Sequence, residues 1–490
     1  MKTKLGIRNI TQSDNYLIDL LKAKGIEDVE TFLDPPLSYL NSPELLDNVE
    51  NGANLLFSIS SEETIAIVVD CDVDGLTSAA IMYNYIKHWR PTQEIIYFMH
   101  EHKQHGLSDI VERILENDTR NLGCVITPDS GTNDYIFIER LKEKQIPVLI
   151  LDHHILDEGT LISDNCILIN NQTSQNYPNK DLTGAGVAWQ FCRYLDKKFS
   201  LDYANNLIDL AALGIISDMG DYRSLENRLI IDKGLHNIRN YFFQKACEKQ
   251  DYSMGGKKNY NSVAFYITPL LNSMIRVGAK EEKERVFLAF IDGHHLVPCN
   301  KRGAKGTMEE VAVESLRECT NTKSKQDKIT TAAVENLSIR IFNEELDKNK
   351  LLIVELEDED DYPQEVNGLV AMKLASKYNL PTLLGRMNDE GELKGSIRGL
   401  NNSELISLRD FLLGSGCVDW VTGHDNAAGW CAKKKKIPAL IDYANKELAN
   451  FDFNSSYYEV DFIRRGDAKD LYQIISDIGG HDDIWGQGIK

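Results

Sequence analysis

Apolar runs of strand length recur along the first part of the chain, and helical stretches separate most of them. The runs are Ile65–Val69, Ile95–Phe98, Cys124–Thr127, Val148–Leu151 and Ile167–Ile169. The helical stretches are Leu76–Trp89, Leu107–Glu116, Asp134–Glu143 and Val187–Lys198. This alternation predicts an α/β fold with a mostly parallel sheet that helices cover on both faces.

The pattern changes on both sides of this region, and 490 residues are enough for more than one domain. Residues 309–346 are polar and lack proline, so we expect one long helix that leads to a second, smaller α/β domain. The predicted divisions are a helical lead-in at 1–60, an α/β domain at 61–270, a helical linker at 271–345, the second α/β domain at 346–450 and a tail at 451–490.

Composition narrows the class of protein. Hydrophobic residues make up 42% of the chain, as in ordinary globular proteins, and no apolar stretch is long enough to span a membrane. The N-terminus lacks the apolar core of a signal peptide. Nine scattered cysteines without a CxxC pair are typical of a reducing compartment. We therefore expect a cytoplasmic protein that has no membrane partner.

The formal net charge of −21 argues against a general binder of polyanions, because phosphate contacts need lysine and arginine. The argument is weakened if bound divalent metals cancel several carboxylates at one site. Net charge alone therefore does not exclude a nucleic-acid ligand.

Three aspartates, Asp70, Asp72 and Asp74, follow the first apolar run at intervals of two residues, in the sequence DCDVDG. In an extended strand, residues at this interval face the same way, which predicts three carboxylates that converge just beyond the strand. Like charges this close repel one another unless protons or cations lie between them. A calcium-like loop or a capped turn is the alternative interpretation of so short a motif.

Acids and histidines also follow two later apolar runs, at the sheet edge where open α/β sheets bind ligands. Asp129 follows one run, Asp152, His153 and His154 follow another, and Asp218 ends an apolar, helix-like segment. Each alone is typical of a helix cap or a polar core residue. Together they indicate a metal centre.

The donor set indicates which ions the centre would take. Carboxylates with imidazole and no cysteine favour Mn²⁺ or Mg²⁺ over structural Zn²⁺. Four or five carboxylates are too many for one ion, which predicts two ions that share a carboxylate. Adjacent residues of an extended chain do not easily face one atom, so we expect His153 on a metal and His154 toward a substrate phosphate.

The four motifs DCDVDG, PDSG, LDHH and LGIISD resemble, in this order, those of the DHH phosphoesterase superfamily. Longer segments such as LTGAGVAWQFCRYL, ITPLLNSMIR and KGSIRGLN narrow the resemblance to the RecJ-type single-strand-specific exonucleases, over roughly residues 25–450. The chain departs from the family where Gly-Gly-His reads Thr422-Gly423-His424, at 272–276 and at 104–107, where an upstream arginine is not evident. The final DIWGQGIK resembles the lead-in to an oligonucleotide-binding barrel, which this chain either lacks or stops short of.

The resemblance implies a metal-dependent exonuclease of DNA repair or recombination that hydrolyses single-stranded DNA from 5′ to 3′ and releases mononucleotides. It implies a DHH domain and a DHH-associated domain with the active site in the cleft between them, two Mn²⁺ ions or else Mg²⁺, and a monomer. A single-strand-binding protein or a helicase is an expected partner.

The resemblance also assigns roles to residues of this chain. Metal ligands are expected at Asp70, Asp72, Asp74, Asp129, His153 and Asp218. Catalytic residues are expected at Asp72, Asp74, Asp129, His153, His154 and Asp218, with Asp152 orienting a histidine. Contacts to DNA are expected at Asn272, Arg276, Ser396, Arg398, Gly423 and His424.

Two rival interpretations stay open at this point. One is a relative within the superfamily that degrades short RNA oligomers or cyclic dinucleotides, although such proteins are typically shorter. The other is a catalytically silent scaffold of a replication or repair assembly, which usually loses acids that this chain retains.

Overall fold

The computed structural model describes residues 3–7, 15–100, 104–116, 121–304, 306–400, 403–453, 456–461 and 467–489. They form two compact units. The larger unit consists of Ser13–Thr322 and Asp467–Lys490, and the smaller one consists of Met1–Gln12 and Lys323–Gly466. The predicted five-part division of the chain stays a prediction.

Strands are concentrated in two sheets, one in each unit. The strands are β1 (Thr3–Ile7), β2 (Thr64–Val69), β3 (Glu94–Met99), β4 (Leu122–Pro128), β5 (Val148–Asp152), β6 (Cys166–Asn170), β7 (Leu296–Pro298), β8 (Met308–Glu310), β9 (Leu352–Leu356), β10 (Thr382–Met387), β11 (Glu392–Arg398), β12 (Trp420–His424), β13 (Ala427–Lys433) and β14 (Ser456–Val460). All five strands predicted between residues 64 and 170 are confirmed.

Helices fill most of the remaining described chain. They are α1 (Tyr16–Ala23), α2 (Val29–Leu33), α3 (Val49–Ser58), α4 (Val73–Trp89), α5 (Val111–Glu116), α6 (Tyr135–Lys142), α7 (Gly184–Phe199), α8 (Ile208–Ser217), α9 (Leu225–His236), α10 (Tyr241–Met254), α11 (Tyr260–Tyr266), α12 (Thr268–Val277), α13 (Lys280–Ile291), α14 (Val311–Asn343), α15 (Asn367–Tyr378), α16 (Leu408–Gly414), α17 (Ile437–Glu447) and α18 (Ala468–Gly479). The predicted long helix is confirmed as α14, whose residues belong to both units.

The sheet of the larger unit is parallel throughout, with the strand order β3-β2-β4-β5-β6. The chain leaves β2 toward β3 on one side and then returns to place β4 on the other side. The strand order therefore reverses between β2 and β4, which is where open α/β sheets bind their ligands.

Both faces of this sheet are covered, which explains why its strands read as continuous apolar runs. Ile65, Ile67 and Val69 of β2 belong to a large core that also contains residues of α4, α7 and α8. Ala66 and Val68 belong to a second core formed with residues of α5 and α6. The prediction of a mostly parallel sheet covered by helices on both faces is confirmed.

The two ends of the larger unit's sequence pack together. Leu17, Leu21 and Phe32 from the N-terminal helices share a core with Ile484 and Ile489 near the C-terminus. Residues 467–489 of the predicted tail therefore belong to the larger unit, whereas its described residues before them belong to the smaller one. Strand β1 was not predicted in the lead-in, and it pairs in parallel with β14 inside the smaller unit.

The sheet of the smaller unit has the order β12-β13-β11-β10-β9 and is mixed. Strands β9 and β10 are parallel, and the remaining neighbours are antiparallel. Leu383, Ile397 and Trp430 lie in its core with Leu408 of α16 and Leu440 of α17. The predicted second α/β domain is confirmed as a fold.

Two further expectations concern the chain as a whole. All nine cysteines are free thiols, as their scattered spacing predicted. In the part of the chain that the structure describes, no helix combines the length and the apolar character that crossing a membrane requires.

Helices α4, α7 and α8 pack closely behind the sheet, and Gly214 of α8 lies at a tight contact among them. A Cβ atom built there would collide with the carboxylate of Asp74 and with Ala185, and would lie 2.7 Å from Thr77 Oγ1. Any side chain at residue 214 would therefore push α8 away from α4.

We expect Gly214→Ala to lower the free energy of unfolding by about 1–3 kcal/mol, because overpacking outweighs the better helix propensity of alanine. Chemical denaturation measures the change. Gly480→Ala is the matched control, since a Cβ atom there meets no atom within 4 Å. Equal stability of the two variants would contradict the packing argument.

Candidate metal centre and nucleic-acid face

Each of the five strands of the larger sheet ends in, or is followed by, a polar residue at the same edge of the sheet. Asp70 follows β2, His100 follows β3, Asp129 follows β4, and Asp152 and Asn170 end β5 and β6. These five residues are buried. Parallel strands end at one edge, so the sequence spacing alone brings the predicted acids together. His100 and Asn170 were not predicted, although each directly ends or follows an apolar run.

The predicted reason for the convergence of the first three aspartates is wrong. The strand ends at Val69, and Asp72 caps helix α4 by accepting a hydrogen bond from the N–H of Gly75 (2.8 Å). Asp74 lies in the first turn of that helix. The chain therefore turns after Asp70, and Asp74 is directed by a helix instead of an extended strand.

The turn divides the donors into two groups, and within each group the ligand atoms lie within 4.8 Å of one another. One group is Asp70, Asp72 and Asp129, and the other is Asp74, His153 and Asp218. The two groups meet where His153 Nε2 lies 3.2 Å from Asp129 Oδ1 and 3.8 Å from Asp218 Oδ2. All six predicted metal ligands are therefore in the cluster.

Asp74 is held by the start of helix α7. Its carboxylate accepts hydrogen bonds from Thr183 Oγ1 (2.9 Å) and from the N–H groups of Gly184 (2.7 Å) and Ala185 (3.1 Å). Helix N-termini favour negative charge because their first N–H groups lack partners within the helix. These hydrogen bonds therefore fix the orientation of the Asp74 carboxylate.

Asp70 lies beside two histidines that sequence reasoning missed. His105 Nδ1 lies 2.6 Å from Asp70 Oδ2, the N–H of Gly106 donates to Oδ1 (2.9 Å), and His100 Nε2 lies 3.6 Å from Oδ1. Burial by itself would raise the pKa of Asp70, but these donors outweigh it and lower the pKa to about 2. Asp109 in turn lies 2.6 Å from His100 Nδ1.

Asp152 lies behind the histidines and accepts a dense set of hydrogen bonds. Its donors are the N–H and hydroxyl of Thr132 (3.0 and 2.6 Å), the N–H of His153 (2.7 Å), and the N–H and Nδ1 of His154 (3.2 and 2.7 Å). Asn170 supports the same loop by donating to the carbonyl of His154 (2.9 Å). These hydrogen bonds fix the backbone of both histidines and the ring of His154, and the orienting role of Asp152 in catalysis stays a prediction.

The two histidines differ in charge. The hydrogen bond to Asp152 raises the pKa of the exposed His154 to about 9, so its ring is cationic at neutral pH. Burial lowers the pKa of His153, so its ring stays neutral and keeps a lone pair for a ligand bond. The prediction that His153 binds a metal and His154 faces a substrate phosphate stays a prediction.

Three carboxyls of the cluster have raised pKa values. Burial, followed by the charges of neighbouring aspartates, raises the pKa of Asp72 to about 6 and that of Asp218 to about 8. The same causes raise the pKa of Asp129 well above its ordinary value. Asp129 also has a left-handed backbone (φ 65°), an uncommon conformation for a residue other than glycine.

The residues fit a divalent cation. Asp129 Oδ1 is buried and accepts no hydrogen bond, although His153 Nε2 is only 3.2 Å away. Two ligand atoms that each lie about 2.1 Å from one ion are about 3 Å apart. The distance between Asp129 Oδ1 and the neutral imidazole of His153 therefore agrees with an ion that both atoms share. Oxygen and imidazole donors suit Mn²⁺ or Mg²⁺.

The predicted DNA-contact residues lie in both units. Asn272 and Arg276 lie one turn apart on α12 of the larger unit, and among the described residues Arg276 forms no ion pair. In the smaller unit, Ser396 and Arg398 lie on one face of β11, as the strand pattern predicted.

The turn from β12 to β13 carries the remaining two predicted DNA contacts. Gly423 has a φ of 133°, and a Cβ atom there would lie 2.9 Å from Ala428 Cα, so this position requires glycine. His424 is exposed beside it and pairs in register with Ala427, which pairs with Arg398. His424 and Arg398 therefore share one face of the sheet.

Comparison of the sequence with known proteins indicates the family of the chain. Residues 64–215 match the DHH family, N-terminal domain. The chain is 34% identical over 480 residues to YorK, an SPbeta prophage-derived protein of Bacillus subtilis strain 168 that is named as a single-strand DNA-specific exonuclease. This match covers 97% of the chain and 81% of YorK. RecJ of the same bacterium is 28% identical over 414 residues, which are 83% of this chain and 48% of RecJ.

Solved structures share the fold. RecJ of Thermus thermophilus in complex with Mn²⁺ has a TM-score of 0.72 at 19% identity, covering 99% of this chain and 68% of that one. The same protein in complex with Mg²⁺ has a TM-score of 0.65 at 18% identity, covering 99% and 67%. The sequence match over nearly the whole length is decisive: the chain belongs to the DHH family and, within it, to the RecJ-type single-strand DNA-specific exonucleases.

Proposed function

We propose that this protein hydrolyses the phosphodiester bonds of single-stranded DNA from the 5′ end, with divalent metal ions, and releases mononucleotides. The observation that carries the proposal is the pair of donor groups that meet at Asp129 and His153, in a chain whose relatives YorK and RecJ are named for single-strand DNA-specific exonuclease activity. All the acids that a catalytically silent scaffold would lose are retained.

The proposed cofactor is a pair of Mn²⁺ ions, with Mg²⁺ as a substitute. Asp70, Asp72 and Asp129 would hold one ion, and Asp74, His153 and Asp218 would hold the other. Two groups of three donors support two ions, and solved RecJ structures from Thermus thermophilus are described with Mn²⁺ and with Mg²⁺. Asp129, which approaches both groups, is the candidate for the shared ligand.

Bound divalent ions supply an activated water nucleophile and offset the negative charge of the reacting phosphate. The protein contributes fixed positions. Asp74 and Asp70 are oriented by their hydrogen bonds before any ion arrives. His154 is cationic and exposed, so it is suited to hydrogen-bond a phosphate oxygen as charge develops there, and Asp152 keeps its ring in place.

The smaller unit would bind the nucleic acid. Ser396 and Arg398 offer a hydroxyl and a guanidinium from one face of β11, a combination suited to a terminal phosphate. The Arg398 guanidinium lies against Gly368 at the start of α15, where any Cβ atom would displace it. Asn272 and Arg276 would contact the DNA backbone from the larger unit.

The cellular setting is part of the proposal. Nine free thiols support a reducing cytoplasm, and we expect a monomer. A net charge of −21 limits general affinity for DNA, so a single-strand-binding protein or a helicase would help to recruit the enzyme.

We expect the protein with Mn²⁺ to release a labelled mononucleotide at once from a 5′-labelled single strand, and to release the label late from a 3′-labelled one. Chelator should abolish both, and a blunt duplex should resist digestion. Gel electrophoresis of time points measures the products. Early loss of the 3′ label, or faster hydrolysis of a dinucleotide than of a long strand, would contradict the proposed polarity or substrate.

We expect Asp129→Asn to lower the rate of this digestion by at least about 100-fold without a loss of folding, because the shared ligand is removed while the volume is kept. Asp209→Asn is the matched control. Asp209 is equally buried in the larger unit, but it accepts hydrogen bonds from the N–H groups of Arg239 and Asn240 outside the cluster. Retained turnover in Asp129→Asn would overturn the ligand assignment.

We also expect the metal-free protein to melt at a lower temperature at pH 8 than at pH 6. The folded state binds protons at Asp72 up to about pH 6 and at Asp218 up to about pH 8, whereas these carboxyls titrate near 3.8 when unfolded, so stability falls as pH rises through this range. The raised pKa of His154 acts in the same direction above pH 6.5, and the lowered pKa of His153 opposes it.

Mn²⁺ competes with those protons, so it should raise the melting temperature more at pH 8 than at pH 6. Differential scanning fluorimetry with chelator or Mn²⁺ at both pH values measures this. Asp129→Asn is the control and should lose most of the response to Mn²⁺. An equal Mn²⁺ effect at the two pH values would count against proton-linked binding at these carboxylates.

A further inference from the structure

We propose that Trp420 is a stacking platform for a base of the bound single strand, at the edge of the smaller unit's sheet and on the face that carries Ser396 and Arg398. The inference rests on the proposed function and deepens it, because it assigns a base contact in addition to the phosphate contacts. Trp420 is the first residue of β12, an edge strand of that sheet, and 42% of its surface is exposed.

The register of the sheet puts Trp420 on the same face as the predicted DNA contacts. Trp420 pairs with Cys431, which pairs with Lys394. Two residues further along, Thr422 pairs with Gly429, which pairs with Ser396; the next row on this face is His424, Ala427 and Arg398. Residues directly opposite each other on antiparallel strands share a face, and so do alternate residues of one strand.

The middle of these three rows consists of small residues, and the rows beside it carry the large ones. Thr422, Gly429 and Ser396 leave a shallow strip between Trp420 with Lys394 on one side and His424 with Arg398 on the other. Lys394 and His424 are exposed. A strip with an aromatic ring and basic side chains at its borders is suited to a nucleotide chain.

Gly429 explains how the indole can present a face to a ligand. A Cβ atom built at Gly429 would lie 3.4 Å from Trp420 Cζ3, so the ring leans over this position in van der Waals contact. A larger side chain would lift the ring from the sheet. With glycine beneath it, the indole rests on the backbone with one side and offers the other side to solvent.

The charges near the ring favour a polyanion. The two nearby acids are each neutralised by a lysine: Asp419 by Lys436 (3.1 Å) and Glu392 by Lys394 (3.2 Å). Arg398 lies on the same face, in the row beyond Thr422 and Ser396. Among the described residues of this face, threonine, glycine and serine form the row beside the ring, which is less apolar than a protein-docking patch. Base stacking on an isolated aromatic ring suits this composition.

The test measures binding of a labelled single-stranded oligothymidylate to the full chain by fluorescence anisotropy with Mn²⁺ present, in an Asp129→Asn background that prevents digestion. We expect Trp420→Ala to weaken binding by about tenfold, the usual effect of losing one stacked base, and Trp420→Phe to retain most of the affinity. An oligomer of abasic residues should bind both Trp420→Ala and its Trp420 parent equally, because it has no base to stack.

Tyr252→Ala is the control, since Tyr252 is 96% exposed on α10 of the larger unit and should leave binding unchanged. Unaltered affinity in Trp420→Ala would overturn the inference. If Trp420→Ala lowers the melting temperature, the affinities of Trp420→Leu and Trp420→Phe for the oligothymidylate are compared instead. Equal affinity of these two variants would also overturn the inference. Digestion of single-stranded DNA by the wild type is measured separately, so a failure there would refute the proposed function and not only the stacking residue.

Discussion

Mutual repulsion among carboxylates gathered at one edge of a parallel sheet is the constraint on which the larger unit depends. Asp70, Asp74, Asp129 and Asp152 are buried there together, and each negative charge disfavours the others. Three of them are compensated by hydrogen bonds from histidines, backbone N–H groups and hydroxyls. Asp129 has no such compensation at Oδ1, which makes it the point where a cation is most strongly favoured.

Much of this arrangement could be predicted from the sequence, because the same residues determine fold and site. Buried parallel strands must be apolar throughout, so their ends are visible as the places where charge first appears. Asp70, Asp129 and Asp152 occupy those places, and parallel strands bring them to one edge without any further information. That logic required only the correct identification of the strands.

The rest could not be predicted because it depends on turns and on pairings that are remote in sequence. Asp74 reaches the site from a helix, and its partners at 183–185 lie more than a hundred residues away. His105 lies in the segment 104–107, whose pattern departs from the family, and His100 directly follows β3 outside every motif, so no motif marked the two histidines beside Asp70. The parallel pairing of β1 with β14 joins distant parts of the chain and leaves no local periodicity.

Trp420 illustrates the same limit in the smaller unit. In the sequence it is one aromatic residue after a turn, and only the register of three strands reveals the glycine beneath it and the basic residues that share its face. Metal ligands are selected by charge and burial, which leave a strong local signature. A stacking surface depends on small neighbouring side chains that leave the aromatic ring accessible. Those neighbours are identified only when the register of the strands is known. The chemistry of cleavage is therefore easier to read from a sequence than the path of the substrate.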